Sequence, residues 1–226
     1  MIGFRSVVLQ SFYVPSGSME PTLRIGDRVL AAKYAYGWRL PFTRIPLGAL
    51  EVPQRGDVVV FTLPIEDHED AWWSELDIAG LVPASDYVKR VAAVPGDTVA
   101  VRNGVVVIDG RPTQATDQGP YRYVDQSCKT MQTRRLLTDE GPSRVILQAT
   151  QPHRRQPDWG PETVPSGHVF VLGDNRDRSK DSRSFGFVPV RDIKGKALRV
   201  WASRPLCTPG DALPGMRWKR VGKPVN

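Results

Sequence analysis

The sequence predicts a mainly β protein built from antiparallel sheets. Glycine and proline number 20 residues each in a chain of 226, an excess that favours many short strands joined by turns. Segments with helical periodicity are short, the best of them near Trp72–Leu76. The composition therefore argues against an all-α bundle. With 40% apolar and 24% charged residues, the chain is also neither disordered nor collagen-like.

The first strands are predicted from a pattern in which Gly-Asp precedes an apolar run. It occurs three times, at Gly26-Asp27, Gly56-Asp57 and Gly96-Asp97. Glycine gives the backbone freedom of a tight turn, aspartate hydrogen-bonds within it, and the β-branched residues that follow prefer a strand. The third run continues into Asn103-Gly104, the strongest two-residue hairpin signal, between Thr98–Arg102 and Val105–Asp109. We therefore expect three strands that begin at turns, the last of them in a hairpin.

The composition changes between residues 109 and 163, where Gln, Thr, Arg, Asp and Pro dominate and one strand is predicted at Ser143–Ala149. An apolar run typical of a strand follows at His168–Leu172. The acidic, tryptophan-containing stretch Glu66–Pro83 is predicted to be a long loop. We therefore expect a smaller β-containing subdomain inserted into a β core. The predicted divisions are core residues 1–108, insertion 109–163, core residues 164–203 and a C-terminal extension 204–226.

The net charge and the cysteine and histidine content are compatible with several classes of function. The formal net charge of +7 suits nucleic acid, an anionic membrane surface or an acidic ligand. The three histidines lack metal-ligand spacing, so no metal site is predicted, and Cys128 and Cys207 either pair or stay free. No apolar stretch reaches the roughly 18 residues of a membrane span, so none is predicted in this sequence.

Two segments offer residues for nucleophilic catalysis. In Pro15-Ser16-Gly17-Ser18 the residues suit an ordinary solvated turn, or a stiff turn that presents Ser18 as a nucleophile. No histidine has a triad context, and His168 is interpreted as a turn residue. On the strand that starts at Tyr87, Lys89 alternates with apolar residues. Such a lysine either extends to solvent or is desolvated, with a lowered pKa that lets it take a proton from serine.

The loop Gly173–Pro189 interleaves acids, arginines, serines and asparagine. Such a charge run is usually a solvated face. Here the short-range alternation also suits a satisfied network that orients a neighbouring site.

Together these segments resemble the type I signal peptidases, the bacterial leader peptidase family of serine endopeptidases. The resemblance extends from about Phe12 to Val200 and rests on Pro15–Met19, Arg55–Phe61, Tyr87–Val91 with Pro95–Asp97, and Gly173–Arg183 with Gly186–Pro189. It implies Ser18 as nucleophile, Lys89 as general base, and the Ser16 hydroxyl with the Ser18 backbone N–H as oxyanion donors. It also implies that Ser179 orients Lys89 and that Asp181 and Arg183 stiffen the supporting loop. Candidates for lining the substrate pockets are Phe12, Val14, Met19, Leu23, Tyr87 and Val88.

The resemblance implies removal of signal peptides from exported preproteins after small residues at −1 and −3, without metal or organic cofactor. The substrate would bind as an added strand. Expected partners are preproteins and an anionic membrane surface, and no nucleic acid is expected. The implied location is the bacterial inner membrane, with the catalytic domain on the periplasmic face. The alternatives are another Ser–Lys peptidase, such as a self-cleaving repressor domain or a conjugation maturase, and a basic nucleic-acid-binding β module.

Overall fold

The computed structural model describes residues 8–38, 47–64, 84–140, 142–149, 158–207 and 215–225. These residues form β1 (Leu9–Tyr13), β2 (Asp27–Ala32), β3 (Val58–Pro64), β4 (Ala84–Ala93), β5 (Thr98–Arg102), β6 (Val105–Ile108), β7 (Arg111–Pro112), β8 (Ala115–Val124), β9 (Thr130–Thr138), β10 (Arg144–Ala149), β11 (Trp159–Thr163), β12 (His168–Leu172), β13 (Val188–Pro189) and β14 (Ile193–Ser203). The one short α-helix among them, α1, spans Ser182–Phe185, and 3-10 turns span Gly17–Met19, Lys33–Tyr36, Arg176–Arg178, Val190–Asp192 and Trp218–Arg220. All pairings between these strands are antiparallel. The mainly β class is therefore confirmed, whereas the predictions at Trp72–Leu76 and Glu66–Pro83 fall outside the described residues.

The main sheet has seven strands in the order β1-β2-β14-β3-β4-β12-β13. Alternate residues of β3 enter different apolar clusters: Val59 and Phe61 enter one, while Val58 and Val60 enter others. Because successive strand residues point to opposite faces, this sheet is covered by apolar side chains on both faces. That burial explains why β3 is an almost continuous apolar run.

The three predicted turns are confirmed. Gly26, Gly56 and Gly96 have φ of 87, 96 and 92°, values that glycine adopts without strain. In each turn the following aspartate accepts a hydrogen bond from the backbone N–H three residues before it, at 2.8, 3.1 and 2.7 Å. The local sequence is therefore sufficient to form these strand entrances.

The predicted hairpin is confirmed within a four-stranded sheet of order β11-β5-β6-β7. Arg102 faces Val105 across the turn, and Asn103 and Gly104 have φ of 51 and 79°. Two consecutive positive φ angles are typical of the two-residue turns that match strand twist.

The remaining sheet has three strands in the order β10-β9-β8 and lies within residues 109–163. The strand predicted at Ser143–Ala149 is confirmed as β10, whereas β8 and β9 were not predicted. Most β8 side chains are exposed, so the strand lacks the alternation of buried and exposed residues that reveals a strand in sequence. The four-part division of the chain stays a prediction.

A disulfide joins Cys128 to Cys207, 79 residues apart. It connects the turn between β8 and β9 with the segment that follows β14. The sequence left this pairing open because spacing alone does not determine which cysteines meet.

Candidate active site

Ser18 lies on the 3-10 turn Gly17–Met19, directly after β1. Met19 and Leu23 are buried in the apolar cluster that contains Val29, while Ser18 itself stays partly accessible. Gly17 packs closely against β8: a methyl group on it would lie 3.0 Å from Cε2 of Tyr123, so that the ring would have to shift by a few tenths of an ångström. The turn is therefore anchored on both sides of Ser18.

Lys89 extends from β4 to this turn. Its Nζ lies 2.9 Å from Ser18 Oγ and donates to the carbonyl oxygen of Val88 at 2.9 Å. The side chain is almost fully buried, and burial lowers its pKa to about 8, although Asp181 and Asp174 act to raise it. The structure therefore brings the predicted serine and lysine together, with the lysine desolvated rather than extended to solvent.

Ser16 also contacts the hydroxyl oxygen of Ser18. Its hydroxyl donates to Ser18 Oγ at 3.4 Å, and Ser16 has extended backbone angles, φ −128° and ψ 159°, before the 3-10 turn. The two serines of the first motif thus have different contacts: Ser18 Oγ is within hydrogen-bond distance of both Lys89 and Ser16.

Ser179 is buried beside the backbone of Gly173. A methyl group on Gly173 would lie 2.5 Å from Cβ of Ser179 and 2.6 Å from the carbonyl oxygen of Ser18. Only glycine at position 173 allows the Ser179 side chain and the Ser18 carbonyl group to lie this close to the backbone of residue 173. Gly173 had no predicted role, because its close contact with Ser18 involves a residue distant in sequence.

Asp181 and Arg183 form the supporting network behind the site. Asp181 accepts hydrogen bonds from Arg183 Nε and Nη2, both at 2.8 Å, and from the backbone N–H of Gly173 at 3.0 Å. Arg183 Nη2 also donates to the carbonyl oxygen of Arg176 at 2.6 Å. Both side chains are buried, so the network holds Gly173 and α1 in one rigid unit.

A second buried network was missed at the sequence level. Asp174 accepts hydrogen bonds from Arg90 Nε at 2.8 Å and Nη2 at 2.7 Å, and from Thr22 Oγ1 at 2.6 Å. The sequence did contain a signal for this network. Arg90 follows Lys89 on a strand with apolar faces, and an arginine buried there needs an acidic partner. The sequence did not show which of the acids in the Gly173–Pro189 loop would meet it.

Asn175 was also missed, and it holds the backbone of the Ser18 turn. Its backbone N–H donates to the carbonyl oxygen of Ser18 at 3.0 Å, and its Nδ2 donates to that of Gly17 at 2.9 Å. One asparagine therefore fixes two consecutive carbonyl groups of the turn.

The predicted pocket residues lie in two places. Val14, Met19 and Leu23 belong to one buried cluster and Phe12 to a neighbouring one, and the partly exposed Val88 contacts both. Tyr87 lies instead against a separate cluster, with its ring stacked on Phe61 at 5.8 Å. The residue with access to both solvent and the first two clusters is therefore Val88.

His168 forms a local contact: its Nδ1 lies 2.9 Å from the carbonyl oxygen of Ser166. In the described part of the chain, no group of three or more His, Cys, Asp or Glu residues is arranged to hold a metal ion. Among the same residues, no helix has the length and apolar character needed to span a membrane.

Comparisons with known proteins identify the family to which this chain belongs. Residues 1–202 match the family described as "Signal peptidase, peptidase S26". The chain is 35% identical to the signal peptidase I of Pseudomonas aeruginosa over 216 residues, covering 89% of this chain and 67% of that relative. It is 34% identical to that of Haemophilus influenzae over 226 residues, covering 88% and 65%. The chain thus spans about two thirds of the length of these relatives. It belongs to the signal peptidase I family of serine endopeptidases.

Proposed function

We propose that this enzyme cleaves the peptide bond between signal peptide and preprotein with Ser18 as the nucleophile and Lys89 as the general base. The observation that carries the proposal is the 2.9 Å distance between Ser18 Oγ and Lys89 Nζ, at a lysine whose pKa burial lowers to about 8. A neutral amine at this distance accepts the serine proton directly. Preproteins that carry signal peptides are the substrates of the family.

The proposed reaction has two halves. Neutral Lys89 takes the proton of Ser18 as Oγ attacks the carbonyl carbon, and the resulting ammonium gives that proton to the departing amine. The acyl group remains on Ser18 until a water molecule, deprotonated by Lys89, attacks the ester; the bond to Ser18 Oγ then breaks, and Oγ takes the proton back from Lys89. The Ser16 hydroxyl and the Ser18 backbone N–H are the proposed donors to the oxyanion in both halves.

Among the described residues, none forms an ion pair with Lys89, and this is the proposed reason why its amine can act as a base. The two carboxylates that act on its pKa, those of Asp174 and Asp181, form close ion pairs with Arg90 and Arg183. The positive charges of these two arginines therefore offset much of the effect that the two carboxylates have on the Lys89 amine. Ser179, buried behind Ser18 and against Gly173, is the proposed residue that orients Lys89.

An extended substrate fits the outer edge of β4. β3 pairs with β4 from Ala84 to Arg90, whereas β12 pairs with its other edge only from Arg90 to Ala93. Among the described strands, none covers that edge between Ser85 and Lys89. We propose that the substrate adds there as a strand, so that its −1 and −3 side chains point the same way. They would point toward the partly exposed Val88, which contacts the buried clusters of the other candidates Phe12, Val14, Met19 and Leu23.

Membrane binding is a further part of the proposal. The enzyme carries a formal net charge of +7 and exposes large apolar side chains at Tyr13, Trp201 and Trp218. Both features suit an anionic lipid surface. We place the enzyme at the bacterial inner membrane, with the active site on the periplasmic face. Flotation with anionic vesicles, which should weaken at high salt, tests this, and no nucleic-acid binding is expected.

The dyad is tested with Ser18→Ala, Lys89→Met and the double variant. Each single change should abolish preprotein cleavage, and the double change should cost little more than either alone, because the two groups act as a unit. Ser166→Ala and Lys129→Met are the controls, since they make the same changes of residue type at exposed positions outside the proposed dyad. Multiplicative losses in the double variant, or equal losses in the controls, would contradict the assignment.

A further inference from the structure

We propose that Tyr123, acting through Asn175, is a positioning residue for Ser18. Tyr123 belongs to β8 of the three-stranded sheet, not to the seven-stranded sheet that carries Lys89. The proposal makes the inserted sheet a working part of the active site. It rests on the proposed role of Ser18 as nucleophile.

The first observation is a chain of two hydrogen bonds through one amide group. Asn175 Nδ2 donates to the carbonyl oxygen of Gly17 at 2.9 Å and to the hydroxyl oxygen of Tyr123 at 2.8 Å. The two N–H bonds of this amide are therefore both used. Within the described part of the chain its Oδ1 is buried and has no hydrogen-bond partner, so the two contacts made by Nδ2 are the ones that orient the amide there.

Loss of the Tyr123 oxygen would remove one of those two contacts. The amide then keeps only its hydrogen bond to the carbonyl oxygen of Gly17 and is held less firmly. A rotation that brings Oδ1 toward that oxygen would place two hydrogen-bond acceptors next to each other, which is unfavourable. The Gly17 carbonyl lies immediately before Ser18 in the chain. The position of the turn therefore depends on a hydroxyl group that contacts neither Ser18 nor Lys89 directly.

The second observation is the packing of the Tyr123 ring. The ring is buried, and its Cε2 lies so close to Gly17 that a methyl group there would be 3.0 Å from it. Two residues earlier on the same strand, the Tyr121 hydroxyl donates to Glu20 Oε2 at 2.9 Å. β8 thus contacts the Ser18 turn on both sides, at Gly17 and at Glu20.

The three-stranded sheet is itself fixed to the supporting loop. The backbone N–H of Leu147 on β10 donates to the carbonyl oxygen of Asp174 at 2.7 Å, and that of Ala149 donates to Asp177 Oδ2 at 2.7 Å. Tyr123 therefore acts from a support attached to the same loop that supplies Asn175. Such support matters because a displacement of about 1 Å at a reacting group costs roughly a hundredfold in rate.

The test is Tyr123→Phe, which keeps the ring against Gly17 and removes the oxygen alone. We expect kcat to fall by about 10- to 100-fold, with KM and the acid limb of the pH–rate profile unchanged, because the surroundings of Lys89 are untouched. Thr133→Val is the matched control: it removes a buried hydroxyl of the same sheet, which donates to the carbonyl oxygen of Tyr121 at 3.4 Å. The control should retain full kcat and show that loss of a sheet hydroxyl alone is harmless.

A double-mutant cycle identifies the route. If Tyr123 acts through Asn175, then Tyr123→Phe should add little to the kcat loss of Asn175→Ala. Normal kcat in Tyr123→Phe, a multiplicative loss in the double variant, or an equal loss in Thr133→Val would overturn the proposal. Activity in Ser18→Ala would instead refute the nucleophile assignment, so the two failures are distinguishable.

Discussion

Lys89 and Arg90 are neighbours on β4, equally buried at 3% exposure, and the protein surrounds them in opposite ways. Arg90 donates to both carboxylate oxygens of Asp174, to the carbonyl oxygen of Gly56 at 2.8 Å and to Thr22 Oγ1 at 3.2 Å. Lys89 is within hydrogen-bond distance of two neutral groups, the Ser18 hydroxyl and the Val88 carbonyl. The two side chains leave the strand toward opposite faces.

The difference shows that two equally buried cations can differ in whether an acid neutralises them. Burial alone would raise the pKa of Asp174, but Arg90 and Thr22 hold it below its usual range. At Lys89 burial dominates, and the pKa falls to about 8. Asp174 thus stays charged as the structural partner of Arg90, while Lys89 loses its proton readily and is available as a base.

The residue types suit these two tasks. A guanidinium is always charged and presents a rigid fork that matches a carboxylate, whereas an ammonium shifts its pKa readily when buried. Exchange of the two residues would place a permanent cation beside Ser18 and a single-point donor beside Asp174. The comparison leads to four predictions.

The largest expected effect is on stability, in Arg90→Met. The change leaves Asp174 charged, buried and without its ion pair, which typically costs about 3–5 kcal/mol in free energy of unfolding. Urea denaturation of the purified protein measures the loss. A loss under about 1 kcal/mol would mean that water or Arg144 replaces Arg90 as the partner of Asp174.

Lys89→Met should have the opposite sign. The folded pKa of about 8 against 10.5 for the free group means that burial of the charged amine destabilises the fold below pH 8. At pH 7 we expect the variant to gain about 2–3 kcal/mol in free energy of unfolding. The gain should shrink between pH 8 and 10.5, where wild-type Lys89 is already neutral in the folded state, and vanish above. A pH-independent difference in urea titrations would contradict the burial argument.

The third prediction concerns the rate. If Lys89 is the general base, as proposed, only its neutral form takes the serine proton. The ratio kcat/KM should then rise about tenfold per pH unit below an acid limb near pH 8, and level off above it. The profile is measured with a preprotein, and Lys129→Met, at an exposed position, should leave it unchanged. A limb near pH 10.5 would show that the amine is solvated in the working enzyme.

The smallest effect is expected at an exposed ion pair between Asp86 of β4 and Lys194 of β14. Their charged atoms lie 2.7 Å apart, and both side chains are substantially exposed. Asp86→Asn should change the free energy of unfolding by less than about 1 kcal/mol. A loss as large as that in Arg90→Met would show that distance, rather than burial, sets the value of an ion pair on β4.

The sequence determined the features that depend on adjacent residues. Each Gly-Asp turn contains its own positive φ and its own side-chain acceptor, and Asn103-Gly104 contains the whole hairpin turn. Ser18 and Lys89 were identified by resemblance, together with the unusual position of a lysine on an apolar strand face. The inserted β8 and β9 were not found, because strands exposed on much of their surface do not show the alternation that burial imposes.

Only the tertiary structure decided which distant residues meet. The partner of Arg90 is Asp174, 84 residues away; Cys128 pairs with Cys207; and Tyr123 reaches Asn175, 52 residues along the chain. Each choice depends on how sheets are arranged in space, and local periodicity contains no information on that arrangement. The same limit applies to the lowered pKa of Lys89: its cause is the removal of water by several segments at once, so it exists only after they have come together.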